Sequence, residues 1–241
     1  MLGLGVGFYK LGGKEYFPWT PNTGKPDPKG WFKGDKIQSG EESESGTPAV
    51  SWADSSPEGN NLIQGTEEIR GTVDDGGLLI DGADDFYSFE SDIVISAEEA
   101  FIGFFVIKLA NVNQDTILGT GGTSNFLQIL TDKKLKLKIG GTQEIPTFAS
   151  SQFSSDEKMI LTIQREAGAT GNLNIFKNGT LLTPTSQLDN AGAITFDSLG
   201  LRNSDQFFGG HIYEIILYDI EDLSTSRISR IHEYLKRKHS I

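Results

Sequence analysis

The chain has 241 residues, 37% of them hydrophobic and 22% charged, a balance typical of a folded globular protein and not of a disordered one. Its net charge of −12 argues against nucleic acid as a partner, and the absence of cysteine excludes disulfides, thiolate metal sites and cysteine nucleophiles. No apolar run approaches the ~18 residues that a membrane span needs.

Residues 1–30 predict an extended N-terminal arm. Large apolar residues alternate with glycines over residues 2–8, and four prolines between positions 18 and 28 exclude a helix or a central strand. We expect the arm to dock on a sheet edge of another subunit or protein through main-chain hydrogen bonds. The alternative is that it completes the sheet of its own domain. The predicted docking residues are Leu2, Leu4, Val6 and Phe8.

Residues 78–219 predict many short strands, because short apolar runs alternate there with turn residues. Phe101–Leu109 and His211–Asp219 are apolar at most successive positions, as strands covered on both faces would be. Lys134–Ile139 alternates strictly between lysine and apolar residues, which predicts one buried and one cationic face. Asn178 and Gly179, between two apolar runs, predict a type I′ hairpin turn.

One helix is predicted, over residues 224–238. Ser224 is suited to cap its start, and Ile228, Ile231 and Leu235 fall at spacings of three and four, forming one apolar stripe. Many short strands with a single terminal helix indicate an all-β sandwich or jelly roll. We therefore expect a single domain over residues 31–241, with the helix included.

Four motifs follow one another along this domain. Residues 52–56 read W-x-D-x-S, residues 59–64 read G-N-x-x-x-Q, and residues 81–85 read D-G-x-D-D. Residues 210–218 read G-x-I-x-E-I-I-x-Y, and a leucine-serine helix start follows them. This series resembles the concanavalin-A-like, laminin-G-like domains over about residues 30–241. The resemblance implies a two-sheet antiparallel jelly-roll sandwich.

Two residues of the first motif have expected structural roles. Trp52 is predicted to be a large apolar anchor in the core, not a platform for a ligand. Asp54 is predicted to accept hydrogen bonds from the amides of a local turn.

The resemblance implies a binding or assembly module. Such domains occur in structural proteins of tailed phages and in bacterial surface proteins, and the start of the chain is similar to that of small marine phage structural proteins. We therefore predict a non-catalytic virion protein, namely a capsid decoration, tail or fibre component. It would be multi-copy or homo-oligomeric, docked on other virion proteins, with weak contact to a host-surface glycan. The alternative is a lectin-like bacterial protein located outside the cell or on its surface.

A glycoside hydrolase is the third alternative. Hydrolases of this fold carry paired carboxylates on one strand in an E-x-D-x-(x)-E pattern, an acid and a nucleophile about 5 Å apart. The nearest match contains Glu90 and Asp92, but Val94 and Ile95 occupy both places for the second glutamate. We therefore expect no hydrolysis.

Two groups of residues are candidates for ligand binding. Trp19 and Trp31 are candidates for stacking on sugar rings, although aromatic residues near a proline-rich segment more often pin it to the core. Asp81, Asp84 and Asp85 offer the clustered oxygens that calcium favours, and the amides of their own turn are the alternative partners. No other cofactor is predicted.

Overall fold

The structure is a computed structural model that describes residues 27–38, 45–122, 125–139, 142–185, 191–219 and 224–241. Most of the predicted arm, residues 1–26, lies outside the described residues. The candidates that fall there are Leu2, Leu4, Val6, Phe8 and Trp19. Within the described residues, no helix combines the length and the apolar character needed to cross a membrane.

The described residues form eighteen strands, one 3₁₀ turn at Glu67–Ile69 and one α-helix, α1, at Thr225–His239. The strands are β1 (Gly30–Gln38), β2 (Ser51–Asp54), β3 (Leu62–Ile63), β4 (Thr72–Asp74), β5 (Gly77–Asp81), β6 (Tyr87–Ile95), β7 (Phe101–Leu109), β8 (Asp115–Gly119), β9 (Phe126–Thr131), β10 (Lys134–Ile139), β11 (Thr142–Glu144), β12 (Lys158–Arg165), β13 (Leu173–Lys177), β14 (Thr180–Leu182), β15 (Ile194–Leu199), β16 (Leu201–Arg202), β17 (Gln206–Phe207) and β18 (Gly209–Tyr218).

The strands form two facing layers that short strands join at one edge. Antiparallel pairing runs β11-β10-β9-β8-β15-β6-β3-β2-β1-β18-β7-β12-β13-β14, with β5 and then β4 added on β18. Phe101 of β7 and Phe196 of β15 are far apart in this order, yet their ring centroids lie 6.3 Å apart. Phe32 of β1 likewise meets Phe89 of β6 at 5.8 Å. The path therefore folds over at β1–β3, which confirms the predicted antiparallel sandwich. The first layer contains β6, β8–β11 and β15, and the second layer contains β1, β4, β5, β7, β12–β14 and β18.

The two central strands of the second layer are covered on both faces, as their continuous apolar sequences predicted. On β7, Phe105 faces the core between the layers, whereas Phe104 belongs to a second cluster on the outer face. The stripe predicted on the helix covers this outer cluster, because Ile228, Ile231 and Leu235 are all buried against it. Burying each of these side chains contributes about 1.5–3 kcal/mol, which keeps α1 on the sheet.

The local turn and strand predictions are confirmed, but the capping prediction is not. Asn178 and Gly179 both have positive φ, at 51° and 79°, as a type I′ turn requires. On β10, the apolar residues are buried and the lysines face outward. Ser224 does precede the helix, but its hydroxyl pairs with that of Ser226 at 3.0 Å and makes no capping bond to a backbone amide.

The first motif is structural, as predicted. Trp52 is fully buried, and its indole N–H donates to the Lys33 carbonyl at 2.7 Å. Asp54 Oδ1 accepts from the amides of Trp31 and Ser56, each at 2.8 Å. Its Oδ2 accepts from the Ser56 hydroxyl at 2.6 Å and the Asn60 amide at 3.0 Å. One carboxylate therefore holds the loop after β2 against the start of β1.

Candidate functional site

A cleft of about 720 Å³ opens on the outer face of the second layer, beside the C-terminal end of α1. The turn between β4 and β5, the middle of β1, the start of β12 and the middle of β18 form its walls. Its charged and aromatic lining residues are Asp35, Asp75, Lys158, Tyr213, Lys238 and His239.

The cleft lies where β18 exchanges one neighbour for another along the same edge. Gly209–Ile212 pairs with β5, and Glu214–Leu217 pairs with β1. The pairing of β18 with β7 shifts register between Ile212 and Glu214, so the strand carries a bulge at Tyr213. A bulge places two successive side chains on one side of a sheet. Tyr213 and Glu214 consequently both lie on the outer face, among the residues that α1 covers.

The turn between β4 and β5 forms one wall because glycines permit a close approach. Asp75 and Gly76 both have positive φ, at 47° and 73°, which suits the tight turn. A Cβ at Gly34 would lie 1.9 Å from the Gly76 carbonyl oxygen, and a Cβ at Gly77 would lie 2.8 Å from the Tyr213 ring. Any side chain at these two glycines would push the turn away from β1 and β18.

The two aspartates of this turn are held by residues of the sheet. His211 Nε2 lies 2.9 Å from Asp74 Oδ2, and the Tyr213 hydroxyl donates to Asp75 Oδ2 at 2.9 Å. Lys158 Nζ lies 3.6 Å from the same Asp75 oxygen and 3.8 Å from the centre of the Tyr213 ring. The hydrogen bond from His211 lowers the pKa of Asp74, and that from Tyr213 lowers the pKa of Asp75. Both carboxylates are therefore ionised and fixed in position at neutral pH.

A fully buried carboxylate, Glu214, fixes the other wall. Its Oε1 accepts from the Trp31 indole N–H at 2.8 Å, while its Oε2 lies 2.8 Å from His239 Nε2 and 3.0 Å from Lys238 Nζ. Burial by itself would raise the pKa of Glu214, but the His239 hydrogen bond, the Lys238 charge and the Trp31 hydrogen bond outweigh burial and lower it. An ionised Glu214 thus ties the last turn of α1 to the sheet.

Trp31 belongs to this anchor and not to a sugar-stacking surface. Its side chain is 5% exposed, and Lys33 Nζ lies 4.1 Å from the centre of its ring. The ring offers no free face to a sugar, so the structure corrects the candidate role in glycan stacking. Packing beneath α1 explains why a tryptophan stands at this position.

The calcium candidates are brought together as the sequence suggested. Oxygens of Asp81, Asp84 and Asp85 lie within 4.8 Å of one another. Asp81 Oδ1 also accepts from the Ala83 amide at 2.8 Å, and Asp85 Oδ2 accepts from the Asp81 amide at 3.1 Å. Burial, followed by the charges of Asp81 and Asp84, raises the pKa of Asp85. The turn amides account for two of the three carboxylates, and calcium binding stays a prediction.

The exposed face of β6, the strand that resembles a hydrolase motif, carries both acidic and apolar side chains. Glu90 and Asp92 are exposed on β6, and Val94, 53% exposed, follows them on the same face. Glu90 Oε2 accepts from the Asn61 side-chain amide at 2.8 Å. The position where a second glutamate would stand therefore carries an isopropyl group.

The residues that build the cleft were not predicted from the sequence as functional. They are Lys158, His211, Tyr213 and Glu214. Two features of the sequence could have indicated the cleft. One is Asp75-Gly76, a pair typical of a hairpin turn, and the other is Glu214, a single glutamate inside an otherwise apolar strand.

No protein-family model and none of the curated proteins matches this sequence. Solved structures do match in fold. One is the botulinum neurotoxin serotype G binding domain, at 13% identity and TM-score 0.59, covering 87% of this chain and 51% of that chain. Another is a Trypanosoma rangeli sialidase in complex with sialic acid, at 11% identity and TM-score 0.51, covering 87% of this chain and 33% of that chain. This protein thus spans about half the length of the first and a third of the second, and shares their β-sandwich fold.

Proposed function

We propose that this protein is a non-catalytic binding module that holds a sugar-type ligand in the cleft beside the end of α1. The observation that carries the proposal is one cleft lined by a fixed carboxylate, Asp75, and by two fixed cations, Lys158 and Lys238. Its volume of about 720 Å³ is in the range of small-molecule sites.

The arrangement of charges suits a polyhydroxyl ligand. A sugar presents hydroxyls that donate and accept hydrogen bonds in fixed directions, so it needs both kinds of partner. Lys158 is held over the Tyr213 ring and beside Asp75, and Lys238 is held by Glu214. Side chains that are already ordered lose little rotamer entropy on binding, and their hydrogen bonds to neutral hydroxyls are charge-assisted.

The fold supports the same proposal at a coarser level. One similar structure is a toxin's binding domain, and in another the sialidase is in complex with sialic acid. The likeness is one of fold alone, and the identity of the ligand rests on the chemistry of the cleft.

The binding test is a glycan array with wild-type protein and two matched variants, run with and without calcium. Lys158→Ala removes a cation of the cleft; Lys29→Ala removes an ion pair of similar length (3.4 Å, to Asp219) and similar exposure outside the cleft. We expect Lys158→Ala to weaken binding about tenfold and Lys29→Ala to leave it unchanged. Equal binding by the two variants, or no glycan bound at all, would overturn the proposal. A loss of binding without calcium would extend it to the aspartate cluster.

The proposed lack of catalysis has its own test. With Val94 in place of a second carboxylate, Glu90→Gln should change nothing in assays of sugar release from β-glucans, agar or bacterial polysaccharides. Release by the wild-type protein that disappears in Glu90→Gln would make the protein a hydrolase.

We propose a phage virion as the setting of this module, in place of a bacterial cell surface. The supporting observation is the alternation of Leu2, Leu4, Val6 and Phe8 with glycines, a pattern suited to adding a strand to another protein's sheet edge. Deleting residues 1–13 should leave a soluble protein that melts cooperatively but no longer assembles or co-purifies with particles. A truncated protein that aggregates or loses its fold would assign the arm to its own core. Secretion of the full chain without particles would favour the cell-surface alternative.

A further inference from the structure

The outer face of the first layer, on the opposite side of the sandwich from the cleft, carries a second cluster of polar residues. It is formed by β8, β9 and β10, with the β16–β17 hairpin against β8. The hairpin lies close, since a Cβ at Gly119 of β8 would be 2.2 Å from the Leu201 carbonyl oxygen. None of the residues of this cluster lines the cleft.

Two cations share one aromatic ring on this face. The Arg202 guanidinium lies 3.7 Å from the centre of the Phe126 ring, and Lys136 Nζ lies 5.4 Å from the same centre. Lys138 pairs in register with Phe126 on the neighbouring strand, which places a third cation beside the ring. Among the described residues, no carboxylate forms an ion pair within 4.0 Å of any of the three. Asp205 is the acidic residue that acts on Arg202 from a longer distance.

The electrostatics of this cluster favour an added negative charge. Burial lowers the pKa of Lys136, and the charges of Arg202 and Lys138 lower it further. Like charges held together at a partly buried site destabilise one another unless an anion offsets them. In a chain of net charge −12, three such cations are a local exception to the overall charge. Because physiological salt screens beyond about 8 Å, a bound group would respond to this cluster more than to the distant acidic residues.

Unpaired polar atoms point to the same place. In the part of the chain that the structure describes, Arg202 Nε, Gln128 Oε1 and Thr120 Oγ1 are enclosed and have no hydrogen-bond partner. Arg202 donates from Nη1 to Gln206, and Gln128 donates from Nε2 to Gln206 and Thr116, which leaves the Nε edge of the guanidinium unused. Arg202 Nε and the Thr120 hydroxyl can donate to an oxyanion, whereas Gln128 Oε1 can only accept, so two of these three unpaired atoms match an anionic partner.

We propose that this face is a second binding site, which takes the carboxylate or sulfate group of an acidic saccharide. The oxyanion would accept hydrogen bonds from the guanidinium of Arg202, in the paired geometry that guanidinium groups form with carboxylates and sulfates, and Lys136 and Lys138 would contact its remaining oxygens. Phe126 is fully buried beneath the cations, so it offers no face for a nucleic-acid base.

The test measures binding by isothermal titration calorimetry to three oligosaccharides of equal length: one sulfated, one carrying uronic acid carboxylates and one neutral. We expect one or both acidic chains to bind, with an affinity that falls as salt rises, and the comparison between them identifies the anion. Lys136→Gln should weaken this binding about tenfold. Arg237→Gln, an exposed residue of α1 with the same change in charge, should leave it unchanged. Arg202→Lys keeps the charge but removes the paired donors, and should weaken binding as well.

Three results would overturn this proposal. One is that no acidic chain binds. A second is an equal loss in Lys136→Gln and Arg237→Gln, which would indicate attraction to net charge alone. A third is binding of single-stranded DNA as tight as that of the saccharides. Lys158→Ala should leave this binding intact, so the second site and the cleft can fail independently.

Discussion

His232 should make the stability of this protein fall steeply in mild acid. The residue lies on α1, is 4% exposed, and its Nε2 lies 2.9 Å from the Thr162 hydroxyl. Its ring packs against Phe104 and Phe176, at 5.4 and 6.0 Å between centroids. Burial among these groups, together with the charge of Lys236, lowers the pKa of His232 from 6.5 to about 4. The imidazole is therefore neutral in the folded protein at neutral pH.

The sign and size of the effect follow from this shift. Below pH 6.5 the unfolded chain binds a proton at this residue that the folded protein does not bind until about pH 4. The free energy of unfolding is therefore fully retained above pH 6.5 and falls as the pH drops toward 4. For a pKa of about 4 in the folded state, the loss from His232 between pH 7 and pH 5 is about 2 kcal/mol.

Urea unfolding of the wild type and His232→Gln at pH 7 and pH 5 measures this contribution. Glutamine offers Thr162 a hydrogen-bonding group but does not titrate, and all other titrating groups are common to both proteins. We expect the variant to be less stable at pH 7, and its deficit to shrink by about 2 kcal/mol at pH 5. Identical dependence on pH in the two proteins would show that the imidazole of His232 is not enclosed in the folded protein.

Three further substitutions test the anchors of the fold. Trp52→Ala should cost about 3–5 kcal/mol in urea unfolding, because it empties a fully buried site; a near-native midpoint would contradict the anchor role. Asp54→Asn turns one acceptor oxygen into a donor that faces other donors. Thermal unfolding should show a loss of about 1–3 kcal/mol in the free energy of unfolding, whereas an unchanged midpoint would show that the turn does not depend on this carboxylate. Glu214→Ala should cost about 3 kcal/mol and speed amide hydrogen exchange over residues 234–239; unchanged exchange there would disprove the tie between α1 and the sheet.

Local patterns in the sequence predicted most of the fold. The apolar stripe on α1, the alternation in Lys134–Ile139 and the Asn178-Gly179 turn depend only on neighbours a few positions apart, and the structure confirms each of them. The Trp52 and Asp54 roles were also predictable, since a large apolar ring favours the core and the Ser56 amide that donates to Asp54 is only two residues away.

The same local rules fail where a bulge breaks the alternation. Strict alternation along β18 would place Tyr213 and Glu214 on opposite faces of the sheet, but the register shift with β7 brings both to the outer face. No periodic pattern marks such an inserted residue, because it depends on which strand pairs alongside.

Both candidate sites were decided by the order of the strands, which a linear sequence does not state. Asp75 and Tyr213 are 138 residues apart, and they meet because β5 pairs with β18. Phe126 and Arg202 meet because the β16–β17 hairpin folds back onto the first layer. Periodicity tells which face of a strand is buried, but the partner strand is chosen by the packing of the whole core. Local sequence patterns therefore specify the sandwich and its helix, whereas the packing of the whole core selects which side chains meet on the two outer faces.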